Sequence, residues 1–171
     1  SLSNDVVLFI YQDPSHILWV GTEGGGVNRY SPVMMRFPHY RFQAGSPGAS
    51  LSGKFVFSLF EDSDRILWAG TNKGLTRIDR STSPFTYTYY YYDPDKPDTI
   101  SSNTVMSLLE DRRGTFWVGT WGGGLNKFDR ETGKSQRFQP IKNDNSSISH
   151  LNIRVIHEDR YGVLWFGTEG G

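Results

Sequence analysis

The sequence predicts an all-β repeat protein, and three observations predict it. First, Trp19-Val20-Gly21-Thr22, Trp68-Ala69-Gly70-Thr71, Trp117-Val118-Gly119-Thr120 and Trp165-Phe166-Gly167-Thr168 recur, with successive tryptophans 49, 49 and 48 residues apart. Second, an aspartate stands six residues before each tryptophan: Asp13, Asp62, Asp111 and Asp159. Third, aromatic and β-branched runs are broken at short intervals by Gly, Asn, Asp and Pro, and no stretch sustains helical periodicity. A fixed period of this length marks a repeat architecture.

Aligned on the aspartates, each unit opens with an apolar strand. Its columns read Val7, Val56, Val105, Ile153, then Ile10, Leu59, Leu108, Ile156, then Tyr11, Phe60, Leu109, His157. Nearly continuous apolar character predicts a strand covered on both faces. A tight turn follows, seen in Asp111-Arg112-Arg113-Gly114, where the carboxylate caps backbone N–H groups and glycine takes a left-handed conformation. Gly162 repeats that glycine, but His16 and Arg65 replace it, where a left-handed backbone costs about 1–2 kcal/mol. Those two turns are either strained or of another type.

The second strand carries Trp-x-Gly-Thr and ends in a loop. Third strands are expected over 27–30, 75–78 and 125–128, and aromatic fourth strands over 37–42, 85–92 and 137–139. A Pro/Ser/Asn/Asp segment then leads into the next unit at Leu51, Ile100 and Ile148. Four consecutive antiparallel strands per unit make a propeller blade. The predicted fold is therefore an all-β propeller fragment of about three and a half four-stranded blades. Their expected bounds are 1–49, 50–98 and 99–146, with a half blade over 147–171. Such a fragment would leave a sheet face open at each end, which predicts association of the isolated chain.

These residues resemble the two-component regulator propeller repeat. The third unit shows it most fully, from Ser102-Asn103-Thr104-Val105 through Glu110-Asp111 and Gly114 to Trp117-Val118-Gly119-Thr120, then Gly124-Leu125-Asn126-Lys127-Phe128-Asp129. His16, Arg65, Ala69 and Lys73 depart from the pattern at single positions. The resemblance implies the extracytoplasmic, periplasmic-side sensor region of a hybrid two-component histidine kinase that answers a carbohydrate and signals by phosphorelay. In such receptors the propellers precede a small β-sandwich, a membrane span and a kinase core. Some relatives carry a diguanylate cyclase instead, and a protein-interaction propeller with no kinase is the other alternative. The expected partners are a small carbohydrate and the remaining blades of a parent chain or a second copy, with any membrane contact made through parts of the parent outside this segment. The start at Ser1 and the stop at Gly171 within a unit fit a piece of a longer protein.

Composition narrows the function classes. Eighteen basic residues balance eighteen acidic ones without a long block of either sign, so the basic stripe of a nucleic-acid binder is missing. With no cysteine there is no disulfide framework or thiolate metal site. No apolar run reaches the ~18 residues of a membrane span. Serine-nucleophile, P-loop and zinc-protease motifs are missing, so the segment is expected to perform no chemistry and to need no metal or cofactor.

The repeated residues read first as structure. Asp13, Asp62, Asp111 and Asp159 are expected to cap turns rather than bind calcium, which needs six to eight oxygens together. Trp19, Trp68, Trp117 and Trp165 are expected to pack between blades. His157 is expected to be packed among apolar neighbours. The glycine-rich loops lack the dinucleotide-binding spacing, and strands follow them where a helix would be needed. The position after Gly-Thr behaves differently: Glu23, Asn72, Trp121 and Glu169 vary in chemistry on a constant scaffold, with Lys73 beside Asn72. These five are the candidate ligand-binding residues, on one face with Asn4, Lys54, Asn103 and Asn152. Trp121 is the candidate sugar platform. A solvated loop with an incidental aromatic is the competing reading. The run Tyr87-Thr88-Tyr89-Tyr90-Tyr91-Tyr92 is either an amphipathic rim strand or an interface.

Overall fold

Backbone pairing follows the repeat. The structure is a computed structural model that describes residues 2–30, 39–40, 42–43 and 50–170, and among these there are fourteen strands and no helix. The first sheet is β1 (Val7–Gln12), β2 (Leu18–Thr22), β3 (Gly26–Tyr30) and β4 (His39–Tyr40). The second is β5 (Val56–Glu61), β6 (Leu67–Thr71), β7 (Gly74–Asp79) and β8 (Thr86–Tyr90). The third is β9 (Val105–Glu110), β10 (Phe116–Thr120), β11 (Gly124–Phe128) and β12 (Ser135–Phe138), and β13 (Ile153–Glu158) with β14 (Leu164–Thr168) forms a final hairpin. Each four-stranded sheet keeps strands in chain order, the up-and-down meander of a propeller blade. The third strands start one residue earlier than expected, at the loop glycine. The fourth are shorter at their C-terminal ends, and the expected residues 37, 38 and 41 lie outside the described ones.

The chain divides into two compact units, Ser1–Tyr89 and Tyr90–Gly171. In the first unit the core gathers Trp19, Val27, Leu51, Val56, Leu59 and Leu67, so the tryptophan face of the first sheet meets the inner edge of the second. Arg80 adds its guanidinium over the Trp19 ring, 5.2 Å from the centroid. In the second unit Leu125, Ile153 and Ile156 are buried together, with Trp117, Phe138 and Phe166 packed against them. Arg112 ties this seam, its Nε 2.8 Å from Glu158 Oε1 and its backbone N–H donating to Glu158 Oε2 at 2.9 Å.

The turn between the first two strands is built identically four times. One oxygen of each aspartate accepts two backbone N–H groups, at 3.0 and 2.9 Å for Arg113 and Thr115 on Asp111. The other oxygen accepts the indole N–H six residues on: Trp19 at 2.9, Trp68 at 2.7, Trp117 at 2.9 and Trp165 at 2.9 Å. Burial pushes the Asp111 carboxyl up, but the bonds from the Trp117 indole and from the backbone of Thr115 and Arg113 outweigh it and hold it below the ordinary range. His16 (φ 60°) and Arg65 (φ 64°) keep the left-handed turn that Gly114 and Gly162 adopt, so these turns are of the same type and bear the steric cost of a Cβ there.

A second repeated device closes each sheet on the segment that enters it. The Ser101 N–H donates to Asn126 Oδ1 at 2.9 Å, while Asn126 Nδ2 returns a bond to Ser101 Oγ at 2.8 Å. Ser101 Oγ also meets Thr120 Oγ1 at 3.1 Å. Ser3, Thr22 and Asn28 repeat this clasp, and Ser52, Thr71 and Thr76 do so with a hydroxyl in place of the amide.

Three expectations need correction. The first strands were to be covered on both faces, as Val56, Leu59, Val105 and Leu108 are, but Ile10 is 61 % and Val155 55 % exposed. Trp19 and Trp68 are fully buried and Trp117 rests on Phe138 and Phe166, whereas Trp165 is 60 % exposed and His157 is exposed rather than packed. The reason is sequential: within each unit the tryptophan face of the earlier sheet is covered by strands that follow it, whereas no described residue covers the tryptophan face of the last hairpin or the opposite, Ile10 face of the first sheet. Along the rim strand β8, Thr86 and Thr88 are exposed while Tyr87, Tyr89 and Tyr90 are half-buried, an amphipathic pattern, and Tyr89 donates to the Ser50 carbonyl at 2.6 Å; Tyr91 and Tyr92, past its end, are exposed.

Candidate functional site

The position after Gly-Thr has a fixed backbone. Glu23, Asn72, Trp121 and Glu169 each donate their N–H to the carbonyl of the residue preceding the first strand: Val6, Phe55, Thr104 and Asn152, at 3.0, 3.1, 2.9 and 3.2 Å. The hairpin therefore holds this residue in one place while leaving its side chain free to vary.

Three of the five candidate residues fall in the first unit and two in the second. Glu23, Asn72 and Lys73 belong to the first unit, where Asn72 Oδ1 accepts the Phe55 N–H at 3.3 Å, and Glu23 and Lys73 are exposed. Trp121 and Glu169 belong to the second unit, and one residue links them. The Arg154 guanidinium carbon lies 4.8 Å from the Trp121 ring centroid, and Arg154 Nη2 lies 2.9 Å from Glu169 Oε1. Asn152 completes the group: its Nδ2 donates to Glu169 Oε2 at 2.8 Å, and its Oδ1 accepts the Gly122 N–H at 2.7 Å. Its backbone N–H donates to His150 Nδ1 at 3.0 Å. Hydrogen bonds from Arg154 and then Asn152 hold the Glu169 carboxyl below the ordinary glutamate range, so it is an anion at neutral pH.

The arrangement is an aromatic surface, 37 % exposed, beside a row of fixed donors and acceptors. Such a site can orient a polar ligand without chemistry of its own. Arg154 was missed in the sequence reading, though a signal existed. Its column otherwise reads Leu8, Phe57 and Met106, so a guanidinium there breaks an apolar series. Among the described residues no three His, Cys, Asp or Glu side chains group as metal ligands. A cleft of about 610 Å³ in the first unit is lined by Asp13, Trp19, Arg29, Glu61 and Arg80. Asp13 is engaged there by Trp19 and the turn, Glu61 is paired with Arg80 at 2.6 Å, and the Arg29 guanidinium lies over the Trp19 ring.

Four-stranded meanders repeated with the same aspartate–indole turn define a β-propeller segment. The chain belongs to the two component regulator propeller family, whose repeat matches residues 1–24, 50–73, 99–122 and 147–170, more than half of the sequence. It is similar to two structures of the extracellular domain of BT4673 from B. thetaiotaomicron, described once as a one component and once as a hybrid two component system. Both have a TM-score of 0.75 over 98 % of this chain, at 26 % and 27 % identity. The chain spans about a fifth of their length, 21 % in each case. Virginiamycin B lyase from Staphylococcus aureus shares the fold alone, with a TM-score of 0.65, 18 % identity, and 98 % of this chain covering 51 % of that one. No curated protein sequence matches. The chain is thus a propeller segment of the kind that builds extracellular domains of hybrid two component systems, and no described helix is long and apolar enough to cross a membrane.

Proposed function

We propose that this segment is part of the periplasmic-side ligand sensor of a hybrid two-component histidine kinase, that its ligand is a small carbohydrate, and that the parent signals by phosphorelay. The family and the likeness to BT4673 support the receptor class. The observation that carries the ligand is the grouping of Trp121 with Asn152, Arg154 and Glu169. A sugar offers an apolar ring face to an indole and hydroxyl groups to a carboxylate, an amide and a guanidinium. Glu23, Asn72 and Lys73 occupy the equivalent loops of the first unit and are proposed as a separate set of ligand contacts within that unit. Ligand would shift the kinase only through different affinities for two receptor arrangements, which places the selective contacts in variable loops on a stiff scaffold. The uncovered faces around Ile10 and Trp165 are the surfaces on which further blades of a parent, or those of a second copy, would pack.

The test is calorimetric titration of the receptor with a panel of polysaccharide-derived di- to tetrasaccharides, using wild type and Trp121→Ala. Binding by wild type and its loss in the variant, with an unchanged circular dichroism spectrum, is the expected result. A carbohydrate response that survives Trp121→Ala would remove the site from this position.

A further inference from the structure

We infer that the Trp121 site selects a neutral sugar presenting adjacent hydroxyl groups and discriminates against acidic sugars; this rests on the carbohydrate reading above. The argument starts from charge. Arg154 and Glu169 are the two charged side chains that meet at the site, and they are paired with each other at 2.9 Å. The pair is pre-formed and balanced, so it presents no net charge for an anionic ligand to neutralise.

The remaining bonds fix this state. Glu169 is held at both oxygens, by Arg154 on one and Asn152 on the other. Asn152 is itself anchored through its carbonyl oxygen by the Gly122 N–H, so its amide cannot turn over to offer an acceptor instead. Glu169 therefore stays put, ionised, beside the guanidinium. A uronate carboxylate approaching Arg154 would meet the Glu169 carboxylate next to it. It would either displace a charge-assisted bond or accept like-charge repulsion.

Hydroxyl groups face neither penalty. Each carboxylate oxygen keeps a free lone pair, and a guanidinium carries five N–H donors, of which one nitrogen is engaged by Glu169. One sugar hydroxyl can donate to Glu169 while its neighbour accepts from Arg154, leaving the ion pair intact. Both side chains are accessible for this, at 50 % and 43 % exposure. A guanidinium and a carboxylate in contact offer a donor and an acceptor at the separation of two substituents on neighbouring ring carbons. That geometry suits a vicinal diol. His150, whose Nδ1 is taken by the Asn152 N–H, is the other ionisable group at this edge.

The experiment uses matched pairs of disaccharides that differ only at C6: glucose against glucuronate, galactose against galacturonate, and mannose against mannuronate. Wild type should bind the neutral member of at least one pair about tenfold more tightly than its acidic partner. Glu169→Gln removes the competing carboxylate and should bring the acidic member to within a factor of about two of the neutral one. Arg154→Gln should weaken the neutral member without inverting the preference. Equal or tighter binding of the uronates by wild type, all of it lost in Trp121→Ala, would overturn the neutral-sugar inference and leave the carbohydrate site standing. Failure of every sugar to bind, or binding indifferent to Trp121→Ala, would overturn both.

Discussion

Replacing Asp111 by alanine tests whether the aspartate–indole turn stabilises each sheet or merely decorates it. The carboxylate accepts three bonds, from the Arg113 and Thr115 N–H groups and the Trp117 indole, at 3.0, 2.9 and 2.9 Å. A bond to a charged group contributes about 1.5–3 kcal/mol net, and less where water takes over. Arg113 is exposed, so water can serve its N–H, whereas the Thr115 and Trp117 groups are half-buried. The sum comes to about 3 kcal/mol, which for a chain of this size lowers Tm by about 6–12 °C. Urea and thermal unfolding followed by circular dichroism read this directly. Asp111→Asn refines the test: its amide oxygen still serves the backbone, but its NH2 faces the indole donor, so about half of the loss should remain. Asp159 makes the same three bonds on an exposed hairpin and should matter less. The pH dependence has a definite sign. The Asp111 carboxyl titrates below its unfolded value, so its contribution is complete above about pH 4 and is lost as pH falls through the lowered folded value. An Asp111→Ala variant within about 0.5 kcal/mol of wild type would show that indole packing alone holds the turn.

Two further substitutions probe the backbone. A Cβ at Gly119 would collide with Ser107 Oγ and lie 2.8 Å from Ile153 Cγ2 across the seam, whereas at Gly167 the nearest atom is Val155 Cβ at 3.4 Å. Gly119→Ala should therefore cost about 1–3 kcal/mol and Gly167→Ala little, and equal effects in urea titration would contradict the seam geometry. His16→Gly and Arg65→Gly should each stabilise by about 1 kcal/mol, because glycine adopts φ near 60° without strain. A loss of stability in both would mean that their side chains contribute more than the turn costs.

The periodic residues made the fold legible. An aspartate, an indole six residues later and a Gly-Thr form a local unit whose bonds close within one hairpin, so spacing alone reveals it. The clasp was half visible: Asn126 stood in the recognised motif, but its partner Ser101 lies 25 residues away and the bond is a tertiary one. The candidate site was half visible for the same reason. Trp121 and Glu169 stood out as variable side chains on a repeated loop, whereas Arg154, which touches both, sits on a strand whose other copies are apolar.

The sequence by itself determined the repeat, the strand order and the turns, because these depend on contacts within about twenty residues. Only the tertiary structure decided which repeated residues are buried and which side chains meet. Trp19 and Trp165 occupy the same position in their hairpins and make the same bond to an aspartate, yet one is enclosed and the other exposed. What separates them is the neighbouring sheet, and a contact between sheets leaves no period in the chain.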